Sequence, residues 1–158
     1  MIIRMNNPCN TPDEINAVSS AIARDLIDSY CNTIYRVDIG SEPIALRIDQ
    51  FSRLLSNFLS ERKHSCAAII SAYNPYSQQL SNDENEAAHH SLRELLSHRS
   101  YPIVGSVNID PLECWPVEKS FLVMGVDLET AKFIGYQYCQ NAIVWIDGNA
   151  VPYLVLLR

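Results

Sequence analysis

The chain has 158 residues, of which 47% are hydrophobic and 19% are charged, and these values are typical of one soluble globular domain with a substantial core. The formal net charge is −6, and the only basic cluster is Arg62-Lys63-His64. Because a sequence-independent nucleic-acid binder needs several cationic side chains on one surface, this charge argues against nucleic-acid binding. No apolar run reaches the length of a membrane span, and residues 1–7 are too short and too polar for a signal peptide.

Cysteine usage indicates a reducing compartment. The five cysteines lie at positions 9, 31, 66, 114 and 139. An odd number with wide spacing predicts neither a disulfide framework nor a zinc site. We therefore expect free thiols, a cytoplasmic location, no bound metal and no cofactor.

The first third of the chain predicts two helices on either side of a hairpin. After an irregular segment over 1–10, the capping box 11–14 has proline at the first helical position, which predicts a helix that runs to about Tyr30. Alternating apolar and polar residues predict strands over 33–39 and 43–48, joined as a hairpin. Asp49 is then expected to cap a helix whose apolar side includes Phe51, Leu54, Leu55, Phe58 and Leu59.

The middle of the chain predicts the central strand. The uncharged run 66–73 is typical of a strand that is buried on both faces. Pro75 should end it, because a proline disfavours the right-handed helical region for the preceding Asn74. The segment 81–84, Ser-Asn-Asp-Glu, is a second capping box, and it opens a helix on which Asn85 extends the apolar face at the first turn.

The last third predicts four strands and one helix. A strand over 101–107 carries Pro102 near its start, which suggests a sheet edge. An apolar strand over 120–126 leads into a helix capped by Asp127, and strands over 142–146 and 151–157 close the chain. Direct strand-to-strand steps exclude a purely alternating wound sheet. We predict an α+β fold over 11–158, with a single mixed, largely antiparallel sheet of about six to seven strands and helices packed on it.

Three segments show a family resemblance. They are Ser71-Ala72-Tyr73-Asn74-Pro75-Tyr76-Ser77 with Leu80-Ser81 and Glu84-Asn85, then Trp115-Pro116-Val117-Glu118-Lys119-Ser120-Phe121, and last Cys139-Gln140-Asn141-Ala142-Ile143. In this order and spacing they resemble an uncharacterised bacterial family, domain of unknown function 3293, over roughly Tyr35 to the C-terminus. One departure is Cys139, where a glycine is expected before the Gln-Asn pair. The resemblance implies no activity and carries over no catalytic residue.

Polar side chains at the ends of the predicted elements form a candidate ligand site. The predicted ligand-binding residues are Asn74, Ser77, Asn85, Gln140, Asn141, Arg47 and Trp115. Ligand crevices form where strands end and loops begin, and carboxamides offer both donors and acceptors to a nucleobase, sugar or amide. For any one of these residues, a turn or a helix cap is the commoner role, so the prediction rests on the set.

Glu118 is the candidate catalytic residue. It follows Trp115-Pro116 and precedes an apolar strand, so a partly dry pocket would raise its pKa and suit it to general acid or base catalysis. The alternative is a strand-end glutamate that pairs with Lys119 or with solvent, which is the commoner role of a carboxylate in this position.

Motifs for metal or nucleotide chemistry are absent from the sequence. Glu86, His89 and His90 lie on one predicted helix, but nothing else in the chain has matching metal-ligand spacing, and solvated helix histidines are expected. The chain has five glycines and neither a glycine-rich phosphate loop nor a Gly-x-Ser-x-Gly elbow.

Two functions from different classes remain open at this point. The first is a domain that binds a small polar molecule, with or without hydrolysis, in an amide-rich pocket. The second is a non-catalytic module that binds a protein partner through the aromatic side chains Tyr73, Tyr76, Trp115, Tyr136 and Tyr138. A concave pocket that brings together Asn74, Asn85, Glu118 and Gln140 would favour the first, and a flat, exposed aromatic surface would favour the second.

Overall fold

Antiparallel pairing organises the whole sheet. The computed structural model describes residues 2–3 and 20–158. Its helices are α1 (Arg24–Asn32), α2 (Arg53–Glu61), α3 (Asn82–His98) and α4 (Leu128–Gln137). Its strands are β1 (Ile2–Ile3), β2 (Ile34–Asp38), β3 (Pro43–Leu46), β4 (Ala67–Ser71), β5 (Ile103–Ile109), β6 (Glu118–Met124), β7 (Ala142–Ile146) and β8 (Pro152–Leu156). They form one sheet in the order β1-β8-β7-β4-β6-β5-β2-β3.

The structure confirms the predicted α+β class and the largely antiparallel sheet. Every pairing within the described residues is antiparallel, including the predicted hairpin of β2 and β3. None of the helices in the described part of the chain is long and apolar enough to cross a membrane. Cys31, Cys66, Cys114 and Cys139 are free thiols, and Cys9 lies outside the described residues.

β4 lies near the middle of the sheet and is buried on both faces. Ile69 belongs to the hydrophobic cluster that α1 and α2 cover, and Ile70 belongs to the cluster that α3 and α4 cover. The two side chains are 2% and 0% exposed. The uncharged run therefore marks a strand with no solvent face, as the sequence indicates.

The position of β5 in the sheet and the start of α2 differ from the sequence prediction. β5 is not an edge strand, because it pairs with both β2 and β6, and Pro102 lies outside the strand, where its carbonyl accepts from the amide of Met124 at 3.0 Å. α2 is capped by Ser52, whose side chain accepts from the amide of Leu55, while Asp49 lies in the preceding turn. Phe51 and Leu54, which the sequence places on the apolar side of this helix, are 60% and 59% exposed.

The predicted N-terminal helix is seen only in its last part. α1 begins at Arg24, and residues 20–23 are not helical. The boundary at residue 10, the capping box at 11–14 and the part of that predicted helix before residue 20 lie outside the described residues.

The end of α4 explains the unusual position of Cys139. The amide of Gln140 donates to the carbonyl of Gly135, and the amide of Cys139 donates to that of Tyr136, both at 3.0 Å. This pair of bonds is a Schellman motif, which requires a left-handed residue directly after the C-cap. Cys139 has φ 53, so a side chain occupies a position that favours glycine.

Replacing Cys139 should test this strain. We expect Cys139→Gly to be about 0.5–1 kcal/mol more stable than Cys139→Ala, because glycine removes the left-handed penalty while both changes remove the thiol. Urea denaturation of the two variants measures the difference. Equal stability, or a more stable alanine variant, would show that the turn carries no such strain.

Candidate functional site

The loop after β4 is held in an unfavourable backbone conformation. Asn74, Tyr76 and Ser77 have φ values of 47, 52 and 56, and Pro75 lies between the first two. Left-handed conformations are uncommon for residues other than glycine, and strained residues of this kind concentrate at functional sites. As predicted, Asn74 lies outside the right-handed helical region, and the loop it opens directs polar side chains toward the sheet.

Asn74 is held by a network that uses all of its polar groups. Its backbone amide donates to Asn85 Oδ1 at 2.9 Å. Its side-chain Oδ1 accepts from Asn85 Nδ2 at 2.9 Å and from the amide of Leu80 at 3.0 Å. Asn74 and Asn85 are both buried. Asn85 therefore positions Asn74, and the confirmed capping box at Ser81 and Glu84 places Asn85 for that purpose at the start of α3.

The remaining amide group of Asn74 reaches the carboxylate of Glu118. Glu118 Oε1 accepts from Asn74 Nδ2 at 2.7 Å and from Trp115 Nε1 at 2.8 Å. Burial raises the pKa of Glu118, and these two hydrogen bonds partly oppose the increase. Lys119 pairs with Glu86 at 2.6 Å and not with Glu118. Within residues 20–158, Glu118 has no ion pair and its Oε2 has no hydrogen bond.

Trp115 is fixed beside Glu118 by the loop that precedes β6. The Asp110 carboxylate accepts three backbone amides: that of Leu112 through Oδ1, and those of Cys114 and Trp115 through Oδ2. These bonds close the loop and orient the indole N–H toward Glu118. Both oxygens of Asp110 are thus used within the fold.

A second polar group forms the opposite wall. The hydroxyls of Tyr30 and Ser77 lie 2.6 Å apart, and Asn141 Nδ2 donates to both, at 3.0 Å and 3.3 Å. Burial raises the pKa of Tyr30. Arg158 donates to Asn141 Oδ1 at 3.4 Å, so the end of the described chain supports this wall from outside.

Gln140 contributes an acceptor. Its Nε2 donates to the carbonyls of Tyr73 and Tyr138, each at 3.1 Å. Because a carbonyl only accepts, these contacts assign the amide orientation and leave Oε1 as an acceptor without a hydrogen bond from the residues that the structure describes.

These walls enclose one cavity of about 210 Å³. Six of the predicted site residues line it, namely Asn74, Ser77, Trp115, Glu118, Gln140 and Asn141. Asn85 lies behind the wall, and Arg47 is exposed and is not among the lining residues.

The sequence analysis missed several lining residues. Tyr30, Tyr35, Ser71 and Asn108 also face the cavity. Asn108 is the direct cross-strand partner of Glu118, so a correct pairing of β5 with β6 would have identified it. Tyr30 has no such signal, because it comes from a helix distant in sequence.

His89 contradicts the expectation of solvated histidines. Its ring is 9% exposed and stacks on Phe121, with the centroids 4.2 Å apart. Nδ1 is buried without a hydrogen-bond partner. Burial lowers the pKa of His89; nearby Glu86 opposes this effect, while Lys119 and Arg93 add to it. No group of three or more His, Cys, Asp or Glu side chains that could hold a metal occurs among the described residues.

The region of the chain that matches a family model contains most of the cavity residues described above. Residues 70–143 match the model of a family described as "Protein of unknown function (DUF3293)". The match confirms the family resemblance of the sequence motifs over this region, although it is shorter than the span from Tyr35 onward that the motifs suggest. It contains the loop at Asn74, both Trp115 and Glu118, and Gln140, but not Tyr30. No curated protein and no solved structure matches the chain.

Asn85→Leu should reveal the positioning role of Asn85. Leucine would match the apolar face of α3 but would leave the Asn74 amide and Oδ1 without their Asn85 partners. We expect a loss of about 1–3 kcal/mol in the free energy of unfolding, measured by urea denaturation. Ala88→Leu, on the same helix and half-buried, controls for added bulk. An Asn85→Leu protein as stable as the parent would contradict this role.

His89→Phe should change how stability depends on pH. Above pH 6.5 the imidazole is neutral in both states; below it, the unfolded chain takes up a proton that the native state resists, so the parent loses stability as the pH falls toward the lowered native pKa. Phenylalanine keeps the stack on Phe121 and removes both this loss and the unpartnered Nδ1. We expect a shallower decline of the thermal midpoint below pH 6.5. An unchanged decline would show that His89 is protonated as easily in the native state.

Proposed function

We propose that the protein binds a small polar molecule in the cavity around Glu118. The observation that carries this proposal is a half-buried carboxylate in the cavity wall, with one oxygen held by two neutral donors and the other, Oε2, without a hydrogen bond from residues 20–158. Because Oε2 has no hydrogen bond within the described residues and belongs to a cavity-lining side chain, it is the carboxylate oxygen that a ligand in the cavity would satisfy.

The size of the cavity limits the ligand. The cavity has a volume of about 210 Å³. This is less than most pockets for drug-sized ligands, so the site suits a compact metabolite or one end of a longer one. The acceptor of Gln140 and the hydroxyls of Tyr30 and Ser77 offer further polar contacts.

Glu118 costs stability in the free protein. Because burial raises its native pKa above the ordinary value, the native state binds its proton more tightly than the unfolded chain does. The stability that this provides is present at low pH and is lost as the pH rises through the native pKa. A group that opposes folding at neutral pH and lines a cavity is better explained by ligand binding than by a structural role.

A catalytic form of this proposal gives Glu118 the role of general acid or base. Its raised pKa moves it toward the working range of such groups, and Oε2 can reach a ligand atom. Hydrolysis would require a water or a nucleophile aligned beside Oε2, and binding is therefore the primary proposal.

The protein-interaction alternative has weaker support. Of the aromatic side chains predicted to form a partner surface, Tyr73 is buried, and Tyr73 and Trp115 line the cavity. Tyr76 and Tyr136 are 45% and 50% exposed. Two of the five rings, those of Tyr73 and Trp115, thus belong to the concave site and not to a flat exposed surface.

Glu118→Gln should separate binding from folding. The glutamine Oε1 can still accept from Asn74 and Trp115, while the unpaired charge disappears. We expect the variant to be at least as stable as the parent at neutral pH and to bind any cavity ligand about tenfold or more weakly. A thermal-shift screen against small polar metabolites, followed by titration of each compound that raises the midpoint, measures both quantities.

Two controls make this experiment decisive. Glu42→Gln makes the same chemical change on the exposed hairpin turn, away from the cavity, and should bind ligands like the parent. The indole N–H of Trp115 should move in NMR spectra when a ligand binds, while that of Trp145, which donates to the carbonyl of Val126, should not. A screen in which no compound moves the Trp115 signal would overturn the proposal.

A further inference from the structure

The charges in the cavity are all of one sign. Its lining includes two ionisable carboxylates, Asp110 and Glu118, and no Lys, Arg or His from the part of the chain that the structure describes. A phosphate, sulfate or carboxylate ligand would meet these groups without a compensating cation among the described lining residues, since Arg158 contacts the wall residue Asn141 but does not itself line the cavity. Like charges at close range in a partly buried site repel strongly.

The two carboxylates differ in whether one of their oxygens is left without a hydrogen bond. The two oxygens of Asp110 accept hydrogen bonds from three backbone amides, so the loop already stabilises the charge of this carboxylate. Glu118 accepts only the neutral donors of Asn74 and Trp115, both on Oε1. Oε2 of Glu118 is therefore the point in the cavity where a positive charge would gain most.

The neighbouring groups suit an organic cation. Gln140 Oε1 is a second acceptor without a hydrogen bond in the described chain, and an ammonium group has several N–H donors to distribute between two such oxygens. The rings of Tyr30, Tyr35 and Trp115 also line the cavity, and aromatic walls beside a carboxylate favour cations. A metal ion is less suited, because the described residues offer no cluster of three or more metal-binding side chains.

We infer that the ligand of this cavity is a small protonated amine or amidine whose charged group pairs with Oε2 of Glu118. This inference rests on the proposed function, since it specifies the chemical class of the ligand for the same site. Binding then supplies the counter-charge that the fold itself does not give to Glu118. Because the charged form of Glu118 takes part, amine affinity should rise as the pH increases through the pKa of Glu118 in the free protein.

Three probes of similar size and different charge test the inference. Benzylamine, benzyl alcohol and benzoate share one ring and differ in the polar group, so their relative affinities report the charge preference of the cavity. Each is titrated into the full chain at neutral pH, and the indole N–H signals of Trp115 and Trp145 are followed by NMR. We expect benzylamine to bind about ten- to a hundredfold more tightly than benzyl alcohol, and benzoate to bind most weakly.

Glu118→Gln and Glu42→Gln complete the experiment. Glu118→Gln should lose the preference for benzylamine while retaining weak binding of benzyl alcohol, and Glu42→Gln should retain the preference. If benzyl alcohol or benzoate moves the Trp115 signal at concentrations equal to or lower than benzylamine does, or if the preference survives in Glu118→Gln, the charge class is wrong while cavity binding stands. If none of the probes and none of the screened metabolites moves the signal, the inference and the proposed function both fail.

Discussion

The structure of the site depends on the hydrogen bonds of one side chain, Asn74. Its backbone amide and Oδ1 are bound by Asn85, its Oδ1 also accepts from Leu80, and its Nδ2 donates to Glu118. Through these bonds a single residue joins the end of β4, the start of α3 and the start of β6. The left-handed conformation of Asn74 is what turns the chain toward all three, and asparagine is among the few residues that adopt it readily.

The arrangement has a physical cost at several positions. The loop after β4 has three left-handed residues other than glycine, and Cys139 occupies a further such position where α4 turns toward β7. Glu118 adds the cost of a buried carboxylate without a cation among residues 20–158. Left-handed residues other than glycine also occur elsewhere in the described chain, at Asp49, Lys63, Ser100, Glu113 and Ala150, so backbone strain by itself does not mark the cavity.

Features governed by neighbouring residues could be predicted from the sequence, and features governed by distant ones could not. The uncharged run at β4 and the capping box of α3 are local patterns, and both appear as predicted. The internal position of β5 depends on which strands pair with it, and the direction of Asn85 depends on which loop packs against it. Local sequence patterns do not indicate either of these partners. For the same reason His89 was expected in solvent, although Phe121 on a distant strand covers it. Within the site, the ends of the predicted elements indicated Asn74, Glu118 and Gln140. Tyr30 could not be predicted, because only tertiary packing brings it to the cavity.

The most direct measurement concerns the protonation of Glu118 in the free protein. Its side-chain carboxyl can be followed by NMR as the pH is changed, with Glu42 as an exposed reference. We expect Glu118 to titrate above the ordinary glutamate value of 4.5, because its carboxylate is desolvated and has no ion pair within residues 20–158. A pKa at or below that value would mean that the carboxylate is either solvated or paired within the fold, and would contradict its assignment as the receptor group of the cavity.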